Sequence, residues 1–168
     1  MNKLTLVLGG TRSGKSAYAE SLFEGQETPV YLATGSAGDG EMAERIARHR
    51  ERRGDHWRTV EEPIGLAASL LRESKPGQPI LVDCLTLWLG NLMGGDRNVP
   101  QSCDALLRVL QGLNAPVVLV SNEVGWGIVP DNALARQFRD YAGELHQRIA
   151  AIADSVVLVA AGLPLILK

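Results

Sequence analysis

The chain has 168 residues, 45% of them apolar, which predicts one domain, residues 1–168, with a substantial core. A formal net charge of −2 argues against a nucleic-acid or anionic-membrane binder, because such proteins need many uncompensated cationic contacts. The sequence opens directly on a strand-like segment with no signal pattern, and no apolar run approaches the length of a membrane span. We therefore expect a cytoplasmic protein that acts on small molecules.

Short apolar runs alternate with longer helix-like segments along the chain. The runs are continuously apolar, which is typical of strands buried on both faces of a parallel sheet. They predict strands at residues 4–8, 30–33, 80–82, 117–120 and 156–160, with a final edge strand within 162–168. Helical crossovers are predicted at residues 41–53, 64–73, 85–93, 104–112 and 132–153. This order predicts an α/β fold of three layers with a mostly parallel central sheet.

A phosphate-binding loop of the pattern GxxxxGK[ST] follows the first predicted strand. Its backbone N–H groups would bind the phosphates of a nucleotide at the positive end of a helix. Lys15 would reach the outer phosphates, and the Ser16 hydroxyl would ligate Mg²⁺. A chance glycine-rich turn is the alternative, but it would not require the strand and helix that flank this motif. We therefore predict a P-loop, RecA-like fold that binds a nucleoside triphosphate. The loop consists of Gly9, Gly10, Thr11, Arg12, Ser13, Gly14, Lys15 and Ser16.

The helix-like segment at residues 41–53 contains His49, which continues an apolar stripe at helical spacing. Arg50, Arg52 and Arg53 outnumber the acids around them and form a positive patch suited to a triphosphate. A neutral imidazole in such a place can attack phosphorus, because nearby cations lower its pKa and neutralise the departing pyrophosphate. Spacing alone nevertheless favours a structural role for His49 over a nucleophilic one.

Two further segments follow predicted strands. Asp83 ends the strand at residues 80–82, where P-loop proteins place the acid that helps to hold Mg²⁺, although a cap for the helix opening at Thr86 is the alternative. A glycine-rich loop follows the strand at residues 117–120 and should lie near the phosphate site. Glu123 and Gly125 stand where a switch GTPase would carry the Lys and Asp of its guanine-reading motif, which argues against that class.

Together these blocks resemble the bifunctional adenosylcobinamide kinase/adenosylcobinamide-phosphate guanylyltransferase family of cobalamin biosynthesis. The similarity includes the phosphate loop, residues 41–43 leading to His49, residues 83–89, residues 122–130, and Arg139 with Asp140. It implies a transferase that phosphorylates adenosylcobinamide with ATP or GTP. GMP from GTP would then pass through a guanylyl-histidine to give adenosylcobinamide-GDP and pyrophosphate. The resemblance identifies His49 as the nucleophile and implies a homotrimer.

The resemblance also implies the nucleotide contacts outside the phosphate loop, but it leaves Glu61 and Glu62 as alternatives for one of them. The corrinoid-binding residues and the base of the kinase step are not identified. Two other functions are considered: a single-function small-molecule kinase and a module that senses GTP without group transfer. The implied contacts are Thr34, Gly35, Ser36, Arg50, Glu51, Arg52, Arg53, Asp83 and one of the two glutamates.

Overall fold

The computed structural model describes residues 3–35 and 56–168, whose strands form one seven-stranded sheet. Within these ranges the strands are β1 (Leu4–Gly9), β2 (Val30–Ala33), β3 (Arg58–Glu61), β4 (Ile80–Asp83), β5 (Val117–Asn122), β6 (Ser155–Ala160) and β7 (Leu163–Ile166). The helices are α1 (Lys15–Ser21), α2 (Leu66–Glu73), α3 (Leu85–Gly94), α4 (Val99–Gly112) and α5 (Ala133–Ile152). None of these described helices is long and apolar enough to cross a bilayer.

The strands are ordered β3-β2-β4-β5-β1-β6-β7. Every pairing is parallel except that of β6 with β7, which is antiparallel. The α/β fold with a mostly parallel sheet is thus confirmed, as is the closing edge strand. One strand, β5, lies between β1, which leads into the phosphate loop, and β4, which ends at Asp83.

Both faces of the sheet are buried, because successive side chains of a strand point to opposite sides. Leu6 packs into the larger core beneath α2 to α5, whereas Val7 packs into the smaller core beneath α1, and both are completely buried. Burying one such side chain contributes about 1.5–3 kcal/mol. Because both faces of such a strand are buried, its side chains are mostly apolar and do not alternate with polar ones. This is why the strands were recognisable in the sequence as continuous apolar runs.

Two features differ from the sequence-based expectation. Strand β3 was not predicted, because three of its four residues are exposed and only Val60 is apolar. Helix α4 begins at Val99, five residues before the predicted start at residue 104, and it has Pro100 in its first turn. Proline is accepted in the first turn of a helix, and the Asn98 side chain caps this one by accepting a hydrogen bond from Gln101 N at 3.0 Å. The predicted helix at 41–53 lies outside the described residues.

Candidate active site

The phosphate loop connects β1 to α1 at the carboxyl edge of the sheet. Gly14 occupies the helix N-cap in the left-handed region, with φ of 93°, where a side chain would be strained. A Cβ at this position would also lie 3.0 Å from Cα of Gly162, in the turn between β6 and β7. That turn is held by a hydrogen bond from Gly162 N to Ser13 O of 2.8 Å. The loop is therefore shaped by its own glycines and by the β6–β7 turn.

The cation of the motif, Lys15, lies across the loop and not in open solvent. It is 5% exposed, and its ammonium group donates to Gly10 O at 3.1 Å. Ser16 follows it in the first turn of α1 and is half-buried. An ammonium group held over a ring of backbone amides is suited to receive phosphate oxygens.

Asp83 ends β4 on the face of the sheet that α1 covers. Leu81, two residues earlier, packs into the core beneath α1, so Asp83 points to the same side. Its Oδ2 accepts a hydrogen bond from the Tyr31 hydroxyl at 2.5 Å. The N-cap of α3 is Cys84, so Asp83 does not occupy the capping position that the sequence left open.

Ser16 and Asp83 offer a hydroxyl and a carboxylate, which are the hard oxygen ligands that Mg²⁺ prefers. Within residues 3–35 and 56–168, no group of three or more His, Cys, Asp and Glu side chains could hold a metal ion. A magnesium ion bound with a nucleotide needs only one or two protein ligands, because phosphate oxygens and water supply the others. The donor set fits a metal that enters with its nucleotide.

A hydrogen-bonded network joins the ends of β2, β4 and β5. The Thr34 hydroxyl donates to Cys84 O at 2.7 Å and accepts from Cys84 N at 2.8 Å. Asn122 Nδ2 donates to the Thr86 hydroxyl at 2.7 Å. Burial raises the pKa of the Cys84 thiol, and the Asp83 charge adds to this effect, so the thiol stays neutral. The Thr34 side chain is completely buried and anchors the strand end, and Gly35 follows it at the edge of the described chain.

The adjacent glutamates 61 and 62 have different surroundings. Glu62 Oε1 accepts from Gly65 N at 2.7 Å and from Ile64 N at 3.1 Å, and Oε2 accepts from the Ser69 hydroxyl at 3.2 Å. Burial alone would raise the pKa of Glu62, but these hydrogen bonds and the Arg72 charge outweigh it, so the pKa is lowered. Glu62 thus stabilises the beginning of α2, whereas Glu61 is exposed at the end of β3.

A cavity of about 540 Å³ lies beside the phosphate loop. Three segments enclose it: residues 10–13 of the loop, part of the segment that follows β5, and the end of β6 (residues 158–160) with Ala161 of the turn after it. The expected proximity of the β5–α5 loop to the phosphate site is therefore observed. Sequence reasoning assigned no role to Glu123, Val124, Trp126 and Gly127, which supply the second wall.

A buried polar pair, His146 and Ser121, links α5 to β5. His146 of α5 is 6% exposed, and its Nε2 lies 2.7 Å from the hydroxyl of Ser121, which is completely buried. Burial lowers the pKa of His146, and the Glu123 charge offsets this only in part. The imidazole is therefore neutral and structural near pH 7. No local sequence signal pairs these two residues.

Several sequence-based site predictions lie outside the described residues, and they include the nucleophile. These residues are Ser36, His49, Arg50, Glu51, Arg52 and Arg53.

The sequence matches the family model described as Cobinamide kinase / cobinamide phosphate guanyltransferase over residues 5–167. It is 52% identical to the bifunctional adenosylcobalamin biosynthesis protein CobP of Pseudomonas aeruginosa, covering 97% of this chain and 96% of that protein. The protein named CobU with the same description is 40% identical in Escherichia coli and 42% identical in Salmonella typhimurium. Each of these two alignments covers 98% of this chain and 99% of the relative.

Solved structures that resemble the chain share its fold at low sequence identity. An ATPase from the type III secretion system of pathogenic bacteria superposes with a TM-score of 0.55 at 11% identity, over 96% of this chain and 56% of that chain. A Pyrococcus horikoshii OT3 protein has a TM-score of 0.55 at 10% identity, over 99% and 86% of the two chains. The fold is that of the P-loop nucleotide-binding proteins.

Proposed function

Because the chain belongs to the cobinamide kinase / cobinamide phosphate guanyltransferase family, we propose that it phosphorylates adenosylcobinamide and then transfers GMP to the product. The observation that carries this proposal is a complete phosphate loop at the β1–α1 junction of a chain that matches the family over residues 5–167. The strands of the sheet come from both ends of the described chain, which supports one domain. Two buried free thiols, Cys84 and Cys103, suit the reducing cytoplasm.

In the kinase step, the hydroxyl of the aminopropanol arm attacks the γ-phosphorus of ATP or GTP. The new oxygen–phosphorus bond forms as the bond to the bridging oxygen breaks, so a nucleoside diphosphate leaves. Loop amides and Lys15 stabilise the charge that spreads over the transferred group. Ser16 and Asp83 would hold Mg²⁺, which neutralises phosphate charge when it is bound.

In the guanylyltransferase step, an imidazole nitrogen of His49 attacks the α-phosphorus of GTP and releases pyrophosphate. The phosphate of adenosylcobinamide-phosphate then attacks the same phosphorus, frees His49 and forms adenosylcobinamide-GDP. A covalent intermediate divides one difficult transfer into two easier ones. Family membership supports the assignment of His49, and the cations at positions 50, 52 and 53 suit a departing pyrophosphate.

Of the two adjacent glutamates, we assign the nucleotide contact to Glu61, because it is exposed at the end of β3, whereas the Glu62 carboxylate stabilises the beginning of α2. Glu61→Gln should raise the KM for GTP at least fivefold in self-guanylylation without lowering the melting temperature. The matched variant Glu62→Gln should lower the melting temperature and leave that KM within about twofold. If Glu62→Gln raised the KM for GTP and Glu61→Gln did not, the nucleotide contact would be assigned to Glu62.

The proposed homotrimer would cover the exposed apolar edge of the sheet. Leu163, Leu165 and Ile166 of β7 are 72%, 57% and 72% exposed. An exposed apolar edge strand is a site of association unless another surface covers it. Sedimentation at several protein concentrations tests the assembly, and a stable monomer would refute it.

Covalent labelling tests the two-step proposal directly. The wild-type protein is incubated with α-³²P-labelled GTP and denatured, and acid-labile, base-stable radioactivity should appear on it and be absent from His49→Ala. Kinase turnover without any label would favour the single-function kinase. If GTP binds but cobinamide induces no turnover, the protein is instead a nucleotide-sensing module.

A further inference from the structure

Glu123 places a carboxylate in the wall of the cavity beside the phosphate loop. It is the residue after β5, the strand that lies between β1 and β4. In the register of the sheet Asn122 pairs with Gly9, and Glu123 N donates to Gly9 O at 3.0 Å. Glu123 therefore lies level with the start of the phosphate loop. A carboxylate there repels phosphates, so its presence needs a chemical reason other than nucleotide binding.

Hydrogen bonds fix the position of this carboxylate. Glu123 Oε1 accepts from Gly125 N at 2.5 Å. Arg139 of α5 in turn donates to Gly125 O at 2.5 Å and to Ile128 O at 3.0 Å. The hydrogen bonds thus run from a long helix through the loop to the carboxylate. A group held in this way is preorganised, as a proton acceptor in a reaction must be.

The same loop carries exposed apolar side chains next to the cavity. Trp126, Ile128 and Val129 are 78%, 96% and 67% exposed, and Trp126 also lines the cavity. Arg136 holds the end of the loop by donating to Pro130 O at 2.8 Å. An apolar surface on a hydrogen-bonded loop binds a ligand with little loss of loop entropy.

Resting on the kinase function proposed above, we propose that this cavity and loop form the site of the corrinoid alcohol. A cavity of about 540 Å³ suits a drug-sized ligand and admits the hydroxyl-bearing arm, whereas the macrocycle stays outside. Trp126 contacts the apolar body of the macrocycle. Glu123 accepts the hydroxyl proton as the alcohol oxygen bonds to the γ-phosphorus and the bond to the bridging oxygen breaks. The protonated carboxyl then returns its proton to solvent.

The second carboxylate at this edge of the sheet is less suited to the same role. Asp83 pairs with Val120, three residues before Glu123, so along the strand direction it lies roughly 10 Å deeper. Asp83 also accepts a hydrogen bond from the Tyr31 hydroxyl, on the side of the sheet that α1 covers. Asp83 is therefore placed for the metal ion, and Glu123 for the alcohol that attacks the nucleotide.

Steady-state kinase kinetics with cobinamide test the base. Glu123→Gln should lower kcat about a hundredfold and leave the KM for nucleotide within about twofold. Gly125→Ala should also lower kcat, by about tenfold, because its Cβ would lie 2.8 Å from Glu123 Oε1 and push the carboxylate out of the position that the Gly125 amide fixes. Glu24→Gln, at an exposed position after α1, is the matched control and should behave as wild type. Wild-type kcat in Glu123→Gln would overturn the role of the base.

The alcohol site itself is tested with Trp126→Ala, matched to Leu71→Ala at another exposed apolar position, 60% exposed on α2. Trp126→Ala should raise the KM for cobinamide about tenfold, while labelling by GTP alone stays within about twofold. If Trp126→Ala instead raised the KM for nucleotide, the cavity would be a nucleotide site. If the variant sedimented differently from wild type, Trp126 would belong to a subunit contact. Either result overturns this inference alone, whereas a wild-type protein that does not phosphorylate cobinamide overturns the proposed function.

Discussion

Replacing Gly9 by alanine would drive a methyl group into the strand beside it. Gly9 pairs with Val159 of β6, and a Cβ at position 9 would lie 2.6 Å from Val159 O and in collision with the Ser13 hydroxyl. The carbonyl belongs to a central strand and cannot rotate away as a flexible side chain would. Overpacking of this kind costs about 1–3 kcal/mol. At 2–4 °C per kcal/mol for a domain of this size, we expect the melting temperature to fall by roughly 2–12 °C.

The adjacent glycine provides a matched control for this prediction. A Cβ at Gly10 would meet no atom within 4 Å, so Gly10→Ala should change the free energy of unfolding by less than about 0.5 kcal/mol. Urea unfolding and thermal melting of the two variants, without nucleotide, measure the difference. Equal stability of Gly9→Ala and wild type, or an equal loss in both variants, would refute the steric reasoning.

Three further predictions concern the titrating groups and the metal. Because the folded pKa of Glu62 is lowered from 4.5, its contribution is present above that pH and lost as the pH falls through the folded pKa. Glu62→Gln should thus lower the free energy of unfolding in urea by about 1 kcal/mol at pH 7 and by less at pH 3.5. The folded pKa of His146 is lowered from 6.5, so its contribution is present above pH 6.5 and lost on acidification towards the folded pKa. Relative to wild type, His146→Asn should lose less stability between pH 7 and pH 5.5, and an unchanged pH dependence would contradict this. Asp83→Asn should raise the Mg²⁺ concentration for half-maximal kinase rate roughly tenfold or more. Tyr31→Phe, which keeps the carboxylate, should raise it less, and equal effects would argue against a metal role for Asp83.

The sequence predicted those elements whose burial is visible in their composition. Residues 80–82 and 117–120 are continuously apolar because the sheet is covered on both faces there. Strand β3 pairs only with β2 among the described strands, so main-chain hydrogen bonds define it and its side chains give no pattern. For α4, both Asn98 at the N-cap and Pro100 in the first turn are compatible with a helix that begins before the predicted residue 104.

The candidate site was predictable as far as local sequence defines it. A phosphate loop is one contiguous segment, and its motif encodes both the turn and the donors. The contact of Tyr31 with Asp83 joins residues 52 positions apart, and the approach of Glu123 to Gly9 follows from the position of β5 between two other strands. Strand order is a property of the whole chain, so these partners emerge only in the folded structure.

The turn between β6 and β7 connects the phosphate loop to the edge strand of the sheet. Gly162 holds the Ser13 carbonyl of the phosphate loop, and β7 begins at the next residue. A neighbouring subunit seated on β7 would therefore restrain the phosphate loop through a single hydrogen bond. Nucleotide affinity would then depend on protein concentration, with dilution loosening the loop while the sheet remains folded.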